Sequence, residues 1–473
     1  MNRTLKNIIY NGVYQLLVIA LPVITVPYVA RILGAKSLGI NSYVVSIGNI
    51  LGYVIMMGLN QYGVRTIARS DRNTKSLKKE FLNLWILQLI VGIIVVICYS
   101  LFSFYNKDRL YFLANLPYLI GFTIDISWFF IGIEKIKDVV IRNTFVKFVT
   151  VFFIFVLVHS PNDLYIYILI NSCSILFSNI IFWKKLHSCI GGFKFNLKKI
   201  NLKYFIPVII LGAPQIAVQL YTNFDSTLVG MIAGPTQLSY YDQSQKVVRI
   251  LLALVTSVST VLMPKLAQLD KNDNGNYNKI LKLSLDITFI SSLFITLNLM
   301  VNSNDFVPWF FGTKFGAMTD NMFYVSLILI FISYGGVFAN QFALSKGYYK
   351  EYALPYFLGA IISIPLNIVL VGKYKADGGT ATIIVTELMV CLVRIIIVAK
   401  KINLKSMFRG QFKYVFVMII CLGIWYKFKF SFGNHLLNII ANTLVYSGMF
   451  IVWVLLLNVN KVSEYKNYFK KGE

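Results

Sequence analysis

Seven charged side chains lie inside long apolar stretches of this chain. A charge near the middle of an isolated apolar helix costs about 3 kcal/mol even on the mild insertion scale, so each must face a partner, water or a ligand. Buried cations can bind anionic groups, and buried carboxylates can take up a proton or a metal cation. The seven residues are Asp125, Asp225, Asp242, Lys246, Arg249, Glu387 and Arg394.

Helical spacing places these charges on polar faces of four predicted helices. At about 100 degrees per residue, Asp242, Lys246 and Arg249 fall within about 60 degrees of one another. The other three faces combine charges with small and polar residues, which favours a water-filled cavity. They are Gln215, Gln219, Thr222 and Ser226, with Tyr221 and Asp225 a quarter-turn away; Thr380, Glu387, Cys391 and Arg394; and Tyr118, Gly121, Asp125 and Gly132.

Each of these charges also has a purely structural interpretation. Asp242 and Lys246 are four residues apart and can satisfy each other on one helix. Glu387 and Arg394 can bridge to neighbouring helices, and Asp125 can hold the helix bundle together through a Ser or Tyr partner. The sequence leaves both interpretations open for each residue.

The composition predicts an integral membrane protein built from helices. Of its 473 residues, 57% are hydrophobic and 14% are charged, and most apolar runs lack the alternating polarity of a membrane barrel. Runs of about 20 apolar residues can cross the hydrocarbon core. We predict fourteen, at residues 8–30, 39–62, 81–104, 110–133, 140–159, 163–183, 205–232, 236–262, 280–302, 322–344, 353–371, 379–399, 412–428 and 435–458.

The distribution of Lys and Arg predicts the orientation of these spans. With fourteen spans, 33 basic residues fall on one side of the membrane and 9 on the other, so the positive-inside rule places both termini in the cytoplasm. The first span lacks a cleavage site and is read as a retained helix. The net charge of +26 then reflects topology and not a nucleic-acid partner. The basic loop "KKLHSCIGGFKFNLKKINLK" (184–203) is interpreted as a cytoplasmic linker, with binding of lipid headgroups as the weaker alternative.

That basic loop predicts a division into two halves. We expect a six-helix bundle at residues 1–185, a cytoplasmic linker at 186–204, a second six-helix bundle at 205–400 and two further spans with a tail at 401–473. A weak repeat supports the halves, because "ILGAKSLG" (32–39) echoes "IAGPTQLS" (232–239). Two such halves around a midplane site are typical of transporters, whereas no re-entrant filter of a channel is evident.

The sequence lacks the motifs of a nucleotide-hydrolysing site and of a metal site. There is no GxxxxGK[ST] motif for nucleotide hydrolysis, no HExxH motif and no Cys pair at metal-ligand spacing. The outer loops are too short for an extracytoplasmic catalytic domain. We therefore expect neither an enzyme nor a resident metal or cofactor.

Three stretches in order along the chain resemble bacterial oligosaccharide repeat-unit flippases. This polysaccharide transporter family belongs to the multidrug/oligosaccharidyl-lipid/polysaccharide exporter superfamily. The resemblance extends over essentially the whole chain, and the stretches are "PYVARILGAKSLGINSY" (27–43), "DISWFFIGIEKIK" (125–137) and "GPTQLSYYDQSQKVVRI" (234–250).

The resemblance implies two bundles that work by alternating access in the bacterial plasma membrane. They would move an undecaprenyl-pyrophosphate-linked oligosaccharide from the cytoplasmic to the outer leaflet, for capsule, exopolysaccharide or O-antigen synthesis. By family position, Arg31, Asp125 and Asp242 match charged residues of the family.

Roles for the remaining side chains are predicted from their helical spacing. The cations Lys246, Arg249 and Arg394 are expected to bind the diphosphate, because buried cations replace its lost hydration. Sugar contacts are expected from Gln215, Gln219 and Tyr221. Coupling to H⁺ or Na⁺ is expected at the carboxylates Asp125, Asp225, Asp242 and Glu387.

Other functions remain open on the sequence alone. A cation-coupled drug exporter or a lipid II flippase would use the same scaffold. A membrane polysaccharide polymerase or glycosyltransferase represents another class, against which the short outer loops argue. Membrane lipids, and a polysaccharide polymerase with a chain-length regulator, are the partners to expect of a repeat-unit flippase.

Overall fold

The computed structural model describes residues 3–71, 73–192, 202–268 and 274–457. It describes the backbone alone for residues 3–19, 202, 214, 215, 218, 220, 221, 258–265, 267, 268 and 274. The described chain consists of helices and the turns that join them, without a β-strand. The predicted all-α fold is therefore confirmed.

Seventeen α-helices follow one another within these ranges. The first ten are α1 (Arg3–Met56), α2 (Tyr62–Arg69), α3 (Thr74–Tyr105), α4 (Arg109–Ala114), α5 (Leu116–Thr123), α6 (Ser127–Gly132), α7 (Ile136–Leu157), α8 (Leu164–Ile190), α9 (Phe205–Ala233) and α10 (Pro235–Gln268). The others are α11 (Asn274–Phe311), α12 (Thr319–Val325), α13 (Ile328–Gly336), which continues as a π-helix (Val337–Leu344), α14 (Tyr349–Ala399), α15 (Leu404–Phe408), α16 (Phe412–Lys427) and α17 (His435–Leu456).

Ten helical segments of the described chain are long and apolar enough to cross a membrane. The first two predicted spans both fall in α1, which breaks at Gly34 with φ 74° and ψ 175°. The eleventh and twelfth both fall in α14, which breaks at Lys375 with φ 52°. The protein is a multi-pass membrane protein, as predicted, while the count of fourteen and the side of each terminus stay predictions.

The chain divides into two compact units, Met1–Ser239 and Tyr240–Glu473. The predicted boundaries at residues 185, 204 and 400 remain a prediction, and part of the basic linker, 193–201, lies outside the described residues. We describe each unit by itself.

Stacked aromatic rings form the core of the first unit. The Phe81 ring centroid lies 5.7 Å from that of Trp128 and 6.2 Å from that of Trp85. Trp85 in turn lies 4.7 Å from Trp183 of α8. Aromatic pairs at these separations add stability beyond the area that they bury, so they fix α3, α6 and α8 against one another.

Helix α9 packs along α1 within the first unit through a contact that we call the α1–α9 seam. Small residues at both ends allow close backbone approach, as is common between membrane helices. A methyl group on Gly39 would lie 1.7 Å from the Pro235 carbonyl oxygen, and one on Gly212 would lie 2.1 Å from that of Met57. The seam comprises Gly39, Tyr43, Ser46, Asn49, Met57 and Gly58 on one side and Gly212, Gln219, Asn223, Thr227, Gly230 and Pro235 on the other.

Hydrogen bonds between side chains hold the helices of the second unit. The Asn302 amide of α11 donates to Thr443 of α17 at 2.9 Å, and the Ser447 hydroxyl of α17 donates to Asn298 at 2.9 Å. Interhelical bonds of this kind contribute about 0.6 kcal/mol each on average in membrane proteins. The C-terminal helix is thereby tied to α11 at several levels.

A buried chain of polar groups links α11, α13 and the start of α16. The Tyr334 hydroxyl donates to the Gln411 side-chain oxygen at 2.6 Å, and the Gln411 amide donates to Asp286 at 2.8 Å. Asp286 also pairs with Lys282 at 2.5 Å. Each side chain in this hydrogen-bonded network therefore has an identified partner.

Replacing Gly121 with Ala should loosen the contact between α5 and α8. A methyl group at this position would lie 2.9 Å from Ile175 Cγ2 and 3.1 Å from the Leu176 backbone nitrogen. Overpacking of this kind costs about 1–3 kcal/mol, which thermal unfolding of the purified protein in detergent should register as a lower midpoint. Gly448→Ala is the control, because that methyl would meet no atom within 4 Å. Equal midpoints for both variants would contradict the prediction.

Candidate functional site

The first unit contains a half-open chamber of about 770 Å³, which is lined by polar as well as apolar side chains. Helices α1, α5, α6, α7 and α8 supply its walls. This volume lies within the range of about 300–1,000 Å³ that is usual for small-molecule sites. Hydroxyl groups of Ser, Thr and Tyr line it together with six amides, those of Asn41, Asn60, Asn115, Asn143, Asn171 and Asn179.

Asp125 lies at a break in the wall, between the end of α5 and the start of α6. Its carboxylate accepts a hydrogen bond of 2.8 Å from the Ser127 backbone N–H and so satisfies the first turn of α6. The residue is partly exposed toward the chamber that it lines. This explains why an aspartate can occupy an apolar run.

The carbonyl groups released by this break are bound by side chains from other helices. The Gln88 amide donates to the carbonyl oxygens of Phe122 at 2.7 Å and of Asp125 at 2.9 Å. Trp183 donates to the Ile124 carbonyl at 2.9 Å. Unpaired carbonyls would be costly away from water, so these bonds keep the break open and Asp125 in place.

Arg142 of α7 is a buried charge in the chamber wall. Its guanidinium donates to Asn143 at 2.7 and 3.1 Å and to Asn179 at 2.9 Å. It also lies over the Phe182 ring, 3.8 Å from the centroid. The planar group is therefore held on several sides, and it orients the amides of Asn143 and Asn179 in turn.

Lys147 also lines the chamber, five residues after Arg142 on α7. Arg142 and Lys147 are among the 33 basic residues that predict the orientation of the spans, and for that reason neither was predicted as a site residue. The available signal was that Asn143 and Lys147 are four residues apart and share one face of a helix. Their positions near the predicted cytoplasmic end of the span concealed it.

A polar ladder runs from the chamber wall into the α1–α9 seam. Tyr118, which lines the chamber, donates to Asn49 of α1, and the Asn49 amide donates to Asn223 of α9 at 3.0 Å. Asn223 donates to Gln219 at 2.7 Å, and Ser46 lies 2.8 Å from Thr227 between their hydroxyl oxygens. The predicted sugar contact Gln219 thus belongs to this ladder.

Four other predicted site residues, three on α9 and one on α1, do not line the chamber or have side chains outside the described structure. Asp225 is fully buried on this helix. The side chains of Gln215 and Tyr221 lie outside the described part of the structure. Arg31 is exposed on α1 and does not line the chamber.

The predicted charges of α10 bond to partners on their own helix. Lys246 forms an ion pair with Asp242 at 2.5 Å. The Arg249 guanidinium donates to the Gln245 side-chain oxygen at 3.2 Å. Both contacts span four residues, the separation at which side chains meet on a helix.

The predicted charges of α14 are buried inside the second unit. Arg394 is 6% exposed and its guanidinium carbon lies 4.7 Å from the centroid of the Tyr356 ring. Its Nε has no hydrogen-bond partner among the described residues. Glu387, two turns earlier, is 2% exposed. The structure thus brings Arg394 and Tyr356 together, and the predicted roles of all these residues stay predictions.

No cluster of His, Cys, Asp and Glu suited to a metal ion occurs among the described residues. The charged side chains lining the chamber are Asp125, Arg142 and Lys147. Two cations, one carboxylate and many amides can bind a polar or anionic group by hydrogen bonds and charge.

Replacing Gln88 with Leu should destabilise the break that carries Asp125. The variant leaves the Asp125 carbonyl and the Trp128 indole N–H, which donates to Gln88 at 3.2 Å, without these partners. It also removes one of the hydrogen bonds to the Phe122 carbonyl, which keeps the bond from the Asp125 backbone N–H. Each buried unsatisfied group costs about 1–3 kcal/mol, so the thermal midpoint in detergent should drop clearly. Ser100→Ala on the same helix removes only a bond to the Val96 carbonyl and should change little; a midpoint for Gln88→Leu matching this control would refute the assignment.

Two curated proteins are similar to most of this chain. Two curated relatives, both described as "Putative O-antigen transporter", come from Shigella dysenteriae and Escherichia coli strain K12. The first is 24% identical over 378 residues, 78% of this chain and 94% of the relative. The second is 22% identical over 391 residues, 81% of this chain and 94% of the relative.

Solved structures share the fold at low sequence identity. The lipid II flippase MurJ in an inward closed conformation has a TM-score of 0.74 at 13% identity, and the match covers 97% of this chain and 100% of that one. An inward-facing multidrug resistance MATE transporter of the MOP superfamily has a TM-score of 0.56 at 13% identity, over 83% of this chain and 99% of that one. These likenesses agree with the predicted helical fold.

A family model described as "Polysaccharide biosynthesis protein" matches residues 4–270. The match covers more than half of the chain and includes every helix of the chamber and the seam. The resemblance predicted from three short stretches is confirmed, and a bacterial inner membrane agrees with the sources of the relatives. The protein belongs to the polysaccharide biosynthesis protein family.

Proposed function

We propose that the protein is a flippase for lipid-linked oligosaccharides. It would carry an undecaprenyl-pyrophosphate-linked repeat unit from the cytoplasmic to the outer leaflet, for capsule, exopolysaccharide or O-antigen synthesis. The observation that carries the proposal is a chamber of polar and cationic side chains inside a membrane-spanning unit of this family. The relatives named as O-antigen transporters support the same function.

The polar chamber matches the physical problem of moving a headgroup across a bilayer. Sugars carry many hydroxyls, and each one that loses water needs a replacement hydrogen bond. Asn side chains offer both donors and acceptors, and Tyr adds a ring face. The six chamber amides are the feature that favours an oligosaccharide over an apolar drug.

Buried cations are suited to the diphosphate of such a substrate. Arg394 lies over an aromatic ring with its Nε unpartnered among the described residues, and a guanidinium matches phosphate oxygens with two parallel bonds. The exposed Lys246 and the partly buried Arg249 join it as proposed diphosphate contacts, and the exposed Arg31 as a proposed substrate contact. The pair between Lys246 and Asp242 would open when phosphate competes for the ammonium.

The carboxylates are proposed as the sites that reset the carrier. Asp225 and Glu387 are buried, and uptake of H⁺ or Na⁺ would neutralise them in one conformation and not in the other. Asp125 and Asp242, which are more accessible, would respond to the same ion. A polysaccharide polymerase and a chain-length regulator would receive the flipped product.

Replacing Arg394 with Ala should stop export while the protein still inserts. We expect surface polysaccharide to fall at least about tenfold, because a lost charged hydrogen bond costs about 1.5–3 kcal/mol. The measurement is polymer per cell in a flippase-deficient strain that makes the cognate repeat unit, with lipid-linked repeat units accumulating in the membrane. Arg394→Lys should recover part of the output, and Arg109→Ala, at the start of α4, is the matched control. Normal output from Arg394→Ala would remove this residue from the site.

Locking the α1–α9 seam should also block transport if α1 and α9 separate during the cycle. The Ser46 and Thr227 hydroxyl oxygens are 2.8 Å apart, so paired cysteines at these positions lie within reach of a disulfide. In a background with the five native cysteines replaced by Ser, oxidation of the Ser46→Cys/Thr227→Cys variant should abolish export, and a reductant should restore it. The control pair is Asn302→Cys/Thr443→Cys within the second unit. Full activity of the oxidised, cross-linked seam variant would show that the seam stays closed.

A further inference from the structure

The charge of the first-unit chamber is not balanced. Its charged lining consists of Arg142 and Lys147 from α7 and Asp125 from the break before α6. The wall formed by α1 adds no acid, because the first 70 residues of the sequence contain no Asp or Glu. Two cations against one carboxylate leave an excess of one positive charge along the lining.

Acidic residues elsewhere on these helices are engaged away from the chamber. Asp138 of α7 pairs with Lys185 at 3.0 Å. Asp163, before α8, accepts bonds from the backbone N–H groups of His159 and Ser160 at 2.9 and 2.7 Å. Neither residue lines the chamber, so neither offsets the excess positive charge of its lining.

Two donors on α7 form a ready site for a carboxylate. Arg142 binds the side-chain oxygen of Asn143 through both Nε and Nη2, which fixes the orientation of that amide. The Asn143 amide nitrogen has no acceptor among the described residues, and Lys147 follows it by one helical turn. An amide N–H and an ammonium at this spacing can bind the two oxygens of one carboxylate.

A neutral amide on the wall formed by α1 can also bind a ligand. Asn41 of α1 is 8% exposed, lines the chamber and has no hydrogen-bond partner among the described residues. A buried polar group without a partner costs free energy. Sugar hydroxyls can donate to it and accept from it, whereas a bare anion can only accept.

We propose that this chamber binds an acidic sugar of the repeat unit, with Lys147 and Asn143 holding its carboxylate. The proposal rests on the proposed flippase function and narrows it: the oligosaccharide that this protein carries contains at least one uronic-acid-type residue. Lys147 and Asn143 are the binding residues, and Arg142 is a positioning residue that acts through Asn143.

Binding of digalacturonate to the purified full-length protein tests the charge requirement. The wild type should bind digalacturonate at least about tenfold more tightly than its uncharged dimethyl ester, as expected for a charge-assisted hydrogen bond. Titration calorimetry in nanodiscs gives both constants. Equal binding of acid and ester, or no binding of the acid, overturns the proposal.

Two substitutions at the chamber should act in opposite directions. Lys147→Gln should weaken binding of digalacturonate about tenfold, and Asp125→Asn should tighten it, because Asn can still accept from Ser127 while the opposing charge is gone. Lys36→Gln, an exposed lysine of α1 outside the chamber, should leave it unchanged. The opposite signs distinguish a binding role from a loss of folding. Tighter binding of inorganic pyrophosphate than of digalacturonate, with the same dependence on Lys147, would assign the site to the diphosphate instead and overturn the proposal.

Complementation separates this inference from the proposed function. Two flippase-deficient strains are used, one that makes an acidic repeat unit and one that makes a neutral repeat unit on the same lipid. Rescue of the acidic strain alone supports both proposals. Equal rescue of the two strains rejects the acidic-sugar inference and retains the flippase, and rescue of neither rejects the flippase itself.

Discussion

The break between α5 and α6 depends on one constraint: in hydrocarbon, every backbone polar group needs a partner inside the protein. Here the partners are side chains of α3 and α8. The Gln88 amide binds the carbonyls of Phe122 and Asp125, Trp183 binds that of Ile124, and Asn179 binds that of Gly121 at 2.9 Å. Without these bonds the chain would have to continue as one helix, and Asp125 would have no first turn to cap. The aromatic core and the chamber therefore share the same anchoring residues.

Charged side chains within the predicted membrane spans are held by three different kinds of contact. Lys246 and Asp242 satisfy each other locally. Arg142 is bound by amides and an aromatic face, so that its position is fixed without need of a neighbouring acid on its own helix. Arg394 lies against Tyr356 with part of its guanidinium unpartnered among the described residues. Arg142 and Arg394 are therefore both held beside an aromatic ring, whereas Lys246 is held by an acid on its own helix.

Hydropathy was sufficient to predict the fold because membrane helices can be recognised by their length and apolar composition. It could not predict the chamber, since Arg142 and Lys147 near the end of a span look the same whether they face lipid headgroups or an internal wall. The helical spacing on α9 did identify a polar face, but periodicity does not identify the partner of that face. The hydrogen bond that Asn49 donates to Asn223 joins residues 174 positions apart. The roles of Asn49 and Gln88 follow from contacts between distant segments, for which a single sequence offers no signal.

The close approach of backbones at both ends of the α1–α9 seam also limits what can pass between the two helices. At Gly39 and at Gly212 even one added methyl group would collide with a carbonyl oxygen. A prenyl chain, which is bulkier than a methyl group, cannot fit there. While α1 and α9 are joined in this way, these points leave no space for a hydrocarbon chain between them. In the proposed flippase, the prenyl tail of the substrate would therefore stay outside this side of the bundle while its headgroup enters.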